Sequence, residues 1–149
     1  MTHILIAEDS TTFQRIFKAT CESIFVEASV VVCEGAQDAI EAYRQLYSKI
    51  EKPPDLVITD LNMPMKLGQS PVDEAGLVLT RVIHRIHPQV PIVVISGLKK
   101  PELVERAREV GAVSYIVKED FRNHRGLKKK LEDILPSELF RDEPGVLGI

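Results

Sequence analysis

Apolar residues follow two rhythms along this chain. Short unbroken runs rich in Val and Ile alternate with longer stretches whose apolar positions recur about every 3.6 residues, the period of a helix. The runs Ile4-Leu5-Ile6-Ala7, Leu56-Val57-Ile58-Thr59, Ile92-Val93-Val94-Ile95 and Tyr115-Ile116-Val117, with the valines before Cys33, predict strands over residues 3–7, 28–33, 55–59, 91–96 and 114–117. They lack polar alternation, as strands covered on both faces do. The first intervening helix carries Phe13, Ile16, Phe17 and Thr20 on one side, behind a Ser10 or Asp9 cap. A second is expected over 36–50, with Ala39, Ala42, Tyr43, Leu46 and Ile50 facing inward and Lys52-Pro53-Pro54 stopping it. A third covers 76–86 through Leu77, Leu79, Val82, Ile83 and Ile86. A fourth covers 102–110, with Pro101 in its first turn and Gly111 as its stop, and a fifth covers 123–135 and ends at Pro136.

Strand and helix in alternation predict an α/β fold, a doubly wound parallel sheet with helices on both faces. The length of 149 residues suits one domain, read as 1–135, with a tail at 136–149 too short for a second. A formal charge of −3 gives no reason to expect a nucleic-acid partner. The basic cluster of Arg122, His124, Arg125 and Lys128-Lys129-Lys130 reads as a solvated helix face. No apolar run approaches the ~18 residues of a membrane span, so no membrane is expected. Met1-Thr2-His3 leads straight into a strand, so no secretory signal is expected and a cytoplasmic location follows. Cys21 and Cys33 read as buried free thiols, and Met63 and Met65 as packing residues. His84 and His87 have metal-like spacing but lack a third ligand nearby, and read as helix-end cations facing water.

The strand ends hold the chemistry. Glu8 and Asp9 follow the first run, Asp60 the third, Ser96 the fourth and Lys118 the fifth. In an open parallel sheet that edge is where ligands collect. Taken singly, the acidic pair could favour the start of a helix, Asp60 could cap a loop and Lys118 could be a solvated charge. Taken together, at equivalent strand ends, they describe one site. Carboxylates crowded together persist only with a cation or a proton between them. All-oxygen ligands suit Mg²⁺, with Mn²⁺ a possible substitute. An ionised carboxylate beside such a cation can attack a phosphoryl group to form an aspartyl phosphate. A lysine neutralises the phosphoryl oxygens, and the Ser96 hydroxyl can donate a hydrogen bond to one of them.

Glu8-Asp9, the stretch from Asp55 through Asp60 to Leu61-Asn62-Met63-Pro64, Ser96-Gly97, and Tyr115 with Lys118 resemble, in order and spacing, the receiver domain of two-component response regulators. The resemblance runs from about Ile4 to Leu135 and implies a flavodoxin-like (βα)5 sheet with strand order 2-1-3-4-5. It implies Asp60 as phosphoacceptor, with a histidine kinase or phosphotransfer protein as donor in a phosphorelay. Glu8, Asp9, Asp60 and the Asn62 backbone carbonyl would hold Mg²⁺, and Lys118 would pair with Asp60 or its phosphate. Ser96 and Tyr115 would be the switch pair, acting on a face of helix four, strand five and helix five that signals to an unknown output protein.

Three departures from the family stand out. Lys118 is followed by Glu119, where proline after a cis bond is usual; a Lys-Glu bond is expected to be trans, and the loop into helix five to differ. The stretch 65–75 makes a long loop after Asp60, an insertion that either modulates access and phosphate lifetime or is simply tolerated. Glu8 stands where aspartate is more common, with an arm still able to reach a metal. Three rivals remain: a docking module that no longer switches, the receiver part of a longer regulator, and a phosphatase using Asp60 as nucleophile. The last usually needs a second aspartate two residues on, where this chain has Asn62, so a non-enzymatic role is expected.

Overall fold

The computed structural model describes residues 1–97, 99–122 and 124–142, with the side chains of 121, 122 and 124 left aside. Strands β1 (Thr2–Ala7), β2 (Ala28–Cys33), β3 (Leu56–Asp60), β4 (Ile92–Ser96) and β5 (Ser114–Val117) form one parallel sheet in the order β2-β1-β3-β4-β5. Helices α1 (Thr11–Ile24), α2 (Ala36–Ile50), α3 (Glu74–Ile86), α4 (Pro101–Glu109) and α5 (His124–Glu132) connect and follow them. This is the flavodoxin-like order that the family resemblance implies.

Side chains that alternate along each strand feed two cores. Ile4, Ile6, Leu56 and Ile58 pack with Phe17, Ile24, Leu127 and Leu131 of α1 and α5. Leu5 and Val57 point the other way, onto Ala39, Tyr43, Leu79 and Ile83 of α2 and α3. A smaller cluster of Leu61, Leu77, Val94 and Ala107 lies under α4. The inner strands β1, β3 and β4 therefore need apolar residues on both sides, and burial of each large one stabilises the fold by roughly 1.5–3 kcal/mol. β2 pairs only with β1, so as an edge strand it is half-buried along most of its length.

Several local expectations change. α3 begins at Glu74, two residues earlier than its apolar stripe suggests, because Asp73 closes the preceding loop and the Ala75 amide bonds Val72 O at 3.2 Å. Ile86, the last apolar position of that helix, is 43% exposed. A 3-10 turn over Lys118–Arg122 precedes α5, which ends at Glu132 instead of continuing to 135. Residue 123, the expected start of that helix, lies outside the described residues, as do the side chains of Arg122 and His124 in the basic cluster. The remaining lysines include Lys130, paired with Asp120 at 2.6 Å, and Lys128, bonded to Arg141 O at 3.0 Å.

His84 and His87 do not face water as their position at a helix end suggested. His87 Nδ1 lies 2.6 Å from the Tyr43 hydroxyl, and its ring packs at a tilt against Tyr47, with centroids 4.7 Å apart. His84 fills the space beside Gly111, whose φ of +118° and contact with the imidazole leave no room for a side chain. Beyond Pro136 the chain turns back onto the fold. Phe140 is 8% exposed with its ring 5.0 Å from Phe25, and the amides of Val26 and Arg141 bond Leu139 O and Ile24 O at 2.8 and 3.0 Å.

Candidate functional site

Strand register sets the site. Ala7 pairs with Thr59, Asp60 with Ile95, and Ser96 with Val117, so the residues that follow these pairs emerge along one carboxyl edge. Glu8 leaves β1 with its amide bonded to Cys33 O at 2.9 Å, which holds the turn into α1 against the β2 edge. Asp60 ends β3, and the amide of Leu61 after it bonds Ile95 O at 3.0 Å. Lys118 follows β5 and reaches across two strands to both acids.

Its ammonium Nζ lies 3.0 Å from Asp60 Oδ2 and 3.2 and 3.1 Å from the two Glu8 oxygens. Glu8 is fully buried and Asp60 nearly so. Glu8 Oε1 also accepts from the Ser10 amide at 3.0 Å, whereas Oε2, though close to the ammonium, makes no hydrogen bond of good geometry. One oxygen each of Glu8, Asp9 and Asp60 lie within 4.8 Å of one another. Burial, then the Asp60 charge, pushes the Glu8 carboxyl up to about 8. Burial also raises Asp60, against the pull of Lys118. For Lys118 burial would lower the pKa, but the Asp60 and Glu8 carboxylates outweigh it and the net shift is upward.

The balance of charge tests which ion the pocket fits. Three acids face one ammonium, and the buried carboxyls hold protons more tightly than free ones do. A hard divalent cation fits this donor set: it would take Glu8 Oε2, which has an ion-pair contact but no hydrogen bond, and relieve the repulsion.

The other expected residues lie around this centre. Ser96 ends β4, one strand over from Asp60, and is half-buried. Tyr115 packs, half-buried, against the cluster of Leu61, Leu77, Val94 and Ala107, so its ring is not part of the acid cluster. The Asn62 side chain points to solvent and donates to Asp73 Oδ1 at 2.9 Å. Among the described residues no peptide bond is cis, in keeping with the expectation for Lys118-Glu119.

The insertion is more ordered than its composition suggests. Met63 and Val72 pair as an antiparallel bridge, with amide-to-carbonyl distances of 3.3 and 3.0 Å. Pro64 O and Met65 O accept from the Ala36 and Gln37 amides at 3.0 and 2.9 Å, which satisfies donors at the start of α2. Met63 is fully buried and Met65 packs beside it, while Leu67 at the tip is 59% exposed.

Sequence reasoning missed contributors to the site. Phe13, read only as a core residue, places its ring centroid 4.5 Å from the Lys118 ammonium. Gln14 Nε2 donates to Glu8 O at 2.7 Å. A Cβ on Gly76 would lie 2.2 Å from Asp60 O and 2.7 Å from Leu61 Cα, so α3 can approach the end of β3 only with glycine there. The Gly-Leu step was visible as a helix start, but nothing local marked it as a contact with residue 60.

A doubly wound sheet with acids and a lysine gathered at the carboxyl ends of β1, β3 and β5 defines a class of phosphoryl-signalling domain. The chain belongs to the response regulator receiver domain family, whose model matches residues 4–131. It is 34% identical over 117 residues to the transcriptional regulatory protein PdtaR of Mycobacterium tuberculosis, covering 77% of this chain and 48% of that protein. The chain thus spans about half the length of that relative. The structure is similar to that of the phosphorylated cyanobacterial phytochrome response regulator RcpA, with a TM-score of 0.71, 22% identity, and coverage of 91% of this chain and 99% of that one. It is also similar to the Mn²⁺-bound form of response regulator Rcp1, with a TM-score of 0.69, 22% identity, and coverage of 92% and 100%. Receiver domains serve two-component signalling, and no helix among the described residues is long and apolar enough to cross a membrane.

Proposed function

We propose that Asp60 accepts a phosphoryl group from a histidine kinase or a histidine phosphotransfer protein and that the chain signals to an output protein in that state. The observation that carries this reading is the shared ammonium: Lys118 bridges Asp60 and Glu8 at about hydrogen-bond distance in a pocket otherwise crowded with acids. Asp60 Oδ attacks the phosphorus of the donor's phosphoimidazole. The O–P bond forms as the N–P bond breaks, and the leaving imidazole nitrogen keeps the bonding pair and takes a proton from solvent. Glu8, Asp9, Asp60 and the Asn62 backbone carbonyl would hold Mg²⁺, or Mn²⁺ in its place. When bound, that cation neutralises charge on the phosphoryl oxygens. Lys118 stays with the transferred group and Ser96 donates a hydrogen bond to it. Tyr115 is the second switch residue, through which the new charge biases the surface of α4, β5 and α5.

The receiver unit is read as residues 1–135 with a short C-terminal segment folded onto it, and buried free thiols at Cys21 and Cys33 suit the cytoplasm. Asn62, two residues beyond Asp60, offers no acid for rapid turnover, which favours a signalling role over a phosphatase. The test is binding of beryllium fluoride in the presence of Mg²⁺, followed by tyrosine fluorescence or NMR. Binding that Asp60→Ala abolishes is expected; no binding, or binding indifferent to that substitution, refutes the assignment and favours a docking module.

A further inference from the structure

We propose that Phe13 is a positioning residue for phosphoryl transfer, holding the Lys118 ammonium between Glu8 and Asp60 through the face of its ring. The inference rests on the phosphoacceptor reading above but concerns how the lysine is aimed. A lysine arm has four flexible carbons, and its head group has three hydrogens to place. Two directions are taken by carboxylates, Asp60 Oδ2 at 3.0 Å and Glu8 Oε1 at 3.2 Å. On a further side the Phe13 ring stands 4.5 Å from Nζ, within the range of a cation–π contact. The side chain of Lys118 is only 14% exposed, so the ring excludes water that would draw the ammonium outward.

The position of the ring is set with care. Phe13 lies in the first turn of α1, and its amide donates to the Ser10 hydroxyl at 3.4 Å. The Ser10 amide donates in turn to Glu8 Oε1 at 3.0 Å, and Gln14 Nε2 grips Glu8 O at 2.7 Å. One helix start therefore orients both the acid and the ring that flank the lysine. The far side offers less: Lys118 opens a 3-10 turn and is followed by Glu119, so its backbone supplies no proline to stiffen the segment. Phe13 also packs at a tilt of 36° against the fully buried Phe17, with centroids 5.6 Å apart, which ties the ring to the core.

The experiment compares wild type with Phe13→Leu, which keeps an apolar side chain of similar size, and Phe13→Tyr, which keeps the ring. Two readouts are used: the rate of phosphorylation by phosphoramidate with Mg²⁺, and the NMR shift of the Lys118 methylene next to the ammonium. Phe13→Leu is expected to slow phosphorylation about fivefold, the equivalent of about 1 kcal/mol. It should also abolish the upfield ring shift of the Lys118 methylene while leaving Mg²⁺ affinity unchanged. Phe13→Tyr should restore both rate and shift. A Leu variant as fast as wild type, or a Tyr variant as slow as the Leu one, overturns the proposal. If phosphoramidate modifies none of the proteins, the phosphoacceptor reading fails, and the Lys118 shift alone then decides whether the ring holds the lysine.

Discussion

Neutralising Glu8 gives the sharpest test of how the acid pocket is held. An unfolded glutamate loses its proton at about 4.5, whereas burial and the neighbouring Asp60 hold the folded Glu8 proton until about 8. Between those values the native state binds one more proton than the unfolded state, so the metal-free protein loses stability as pH rises. One proton corresponds to about 1.4 kcal/mol per pH unit, which sets a ceiling of about 5 kcal/mol across the window. Relaxation of the pocket and water entry as Glu8 ionises reduce this, and about 2–3 kcal/mol is expected from about pH 5 to pH 8. Glu8→Gln removes the titration, so its stability relative to wild type should climb by that amount over the same range. Urea unfolding in EDTA at several pH values measures the difference, with m-values checked for constancy. Saturating Mg²⁺ binds the ionised carboxylates and should cancel the wild-type decline. Parallel pH profiles for the two proteins in EDTA, or a wild type that gains on the variant as pH rises, would refute the account of the pocket.

Gly76→Ala should destabilise the protein by more than about 2 kcal/mol in urea unfolding, because a Cβ 2.2 Å from Asp60 O must push α3 off the end of β3; a shift below about 0.5 kcal/mol would mean the approach is less tight. Phe140→Ala should cost about 3 kcal/mol by the same assay, since the ring is buried against Phe25 although it lies beyond the last helix; a near-neutral result would detach that segment from the core. Replacing residues 66–71 with a short turn that keeps the Met63–Val72 pair should shorten the lifetime of the Asp60 phosphate by admitting water. An unchanged decay rate would leave the ribbon without that role.

The sequence by itself determined the sheet, its winding and the identity of the acids and lysine at its edge. Each of these is written in local geometry: unbroken Val and Ile runs mark strands covered on both faces, and a parallel sheet brings the residues after those runs to one side. The tertiary structure alone decided how those residues meet. Phe13 looks like any core residue until α1 docks and its ring lies over an ammonium that belongs to residue 118. His87 looks solvated until Tyr43 and Tyr47 of α2 arrive beside it, and Phe140 looks like tail until it reaches Phe25. The upward shifts likewise come from the folded surroundings: burial and the Asp60 charge raise Glu8, and burial raises Asp60 against the pull of Lys118, all residues far apart in sequence. Periodicity reports which face of an element is apolar; it carries no information about which distant side chain that face will touch, and that depends on register and docking between elements.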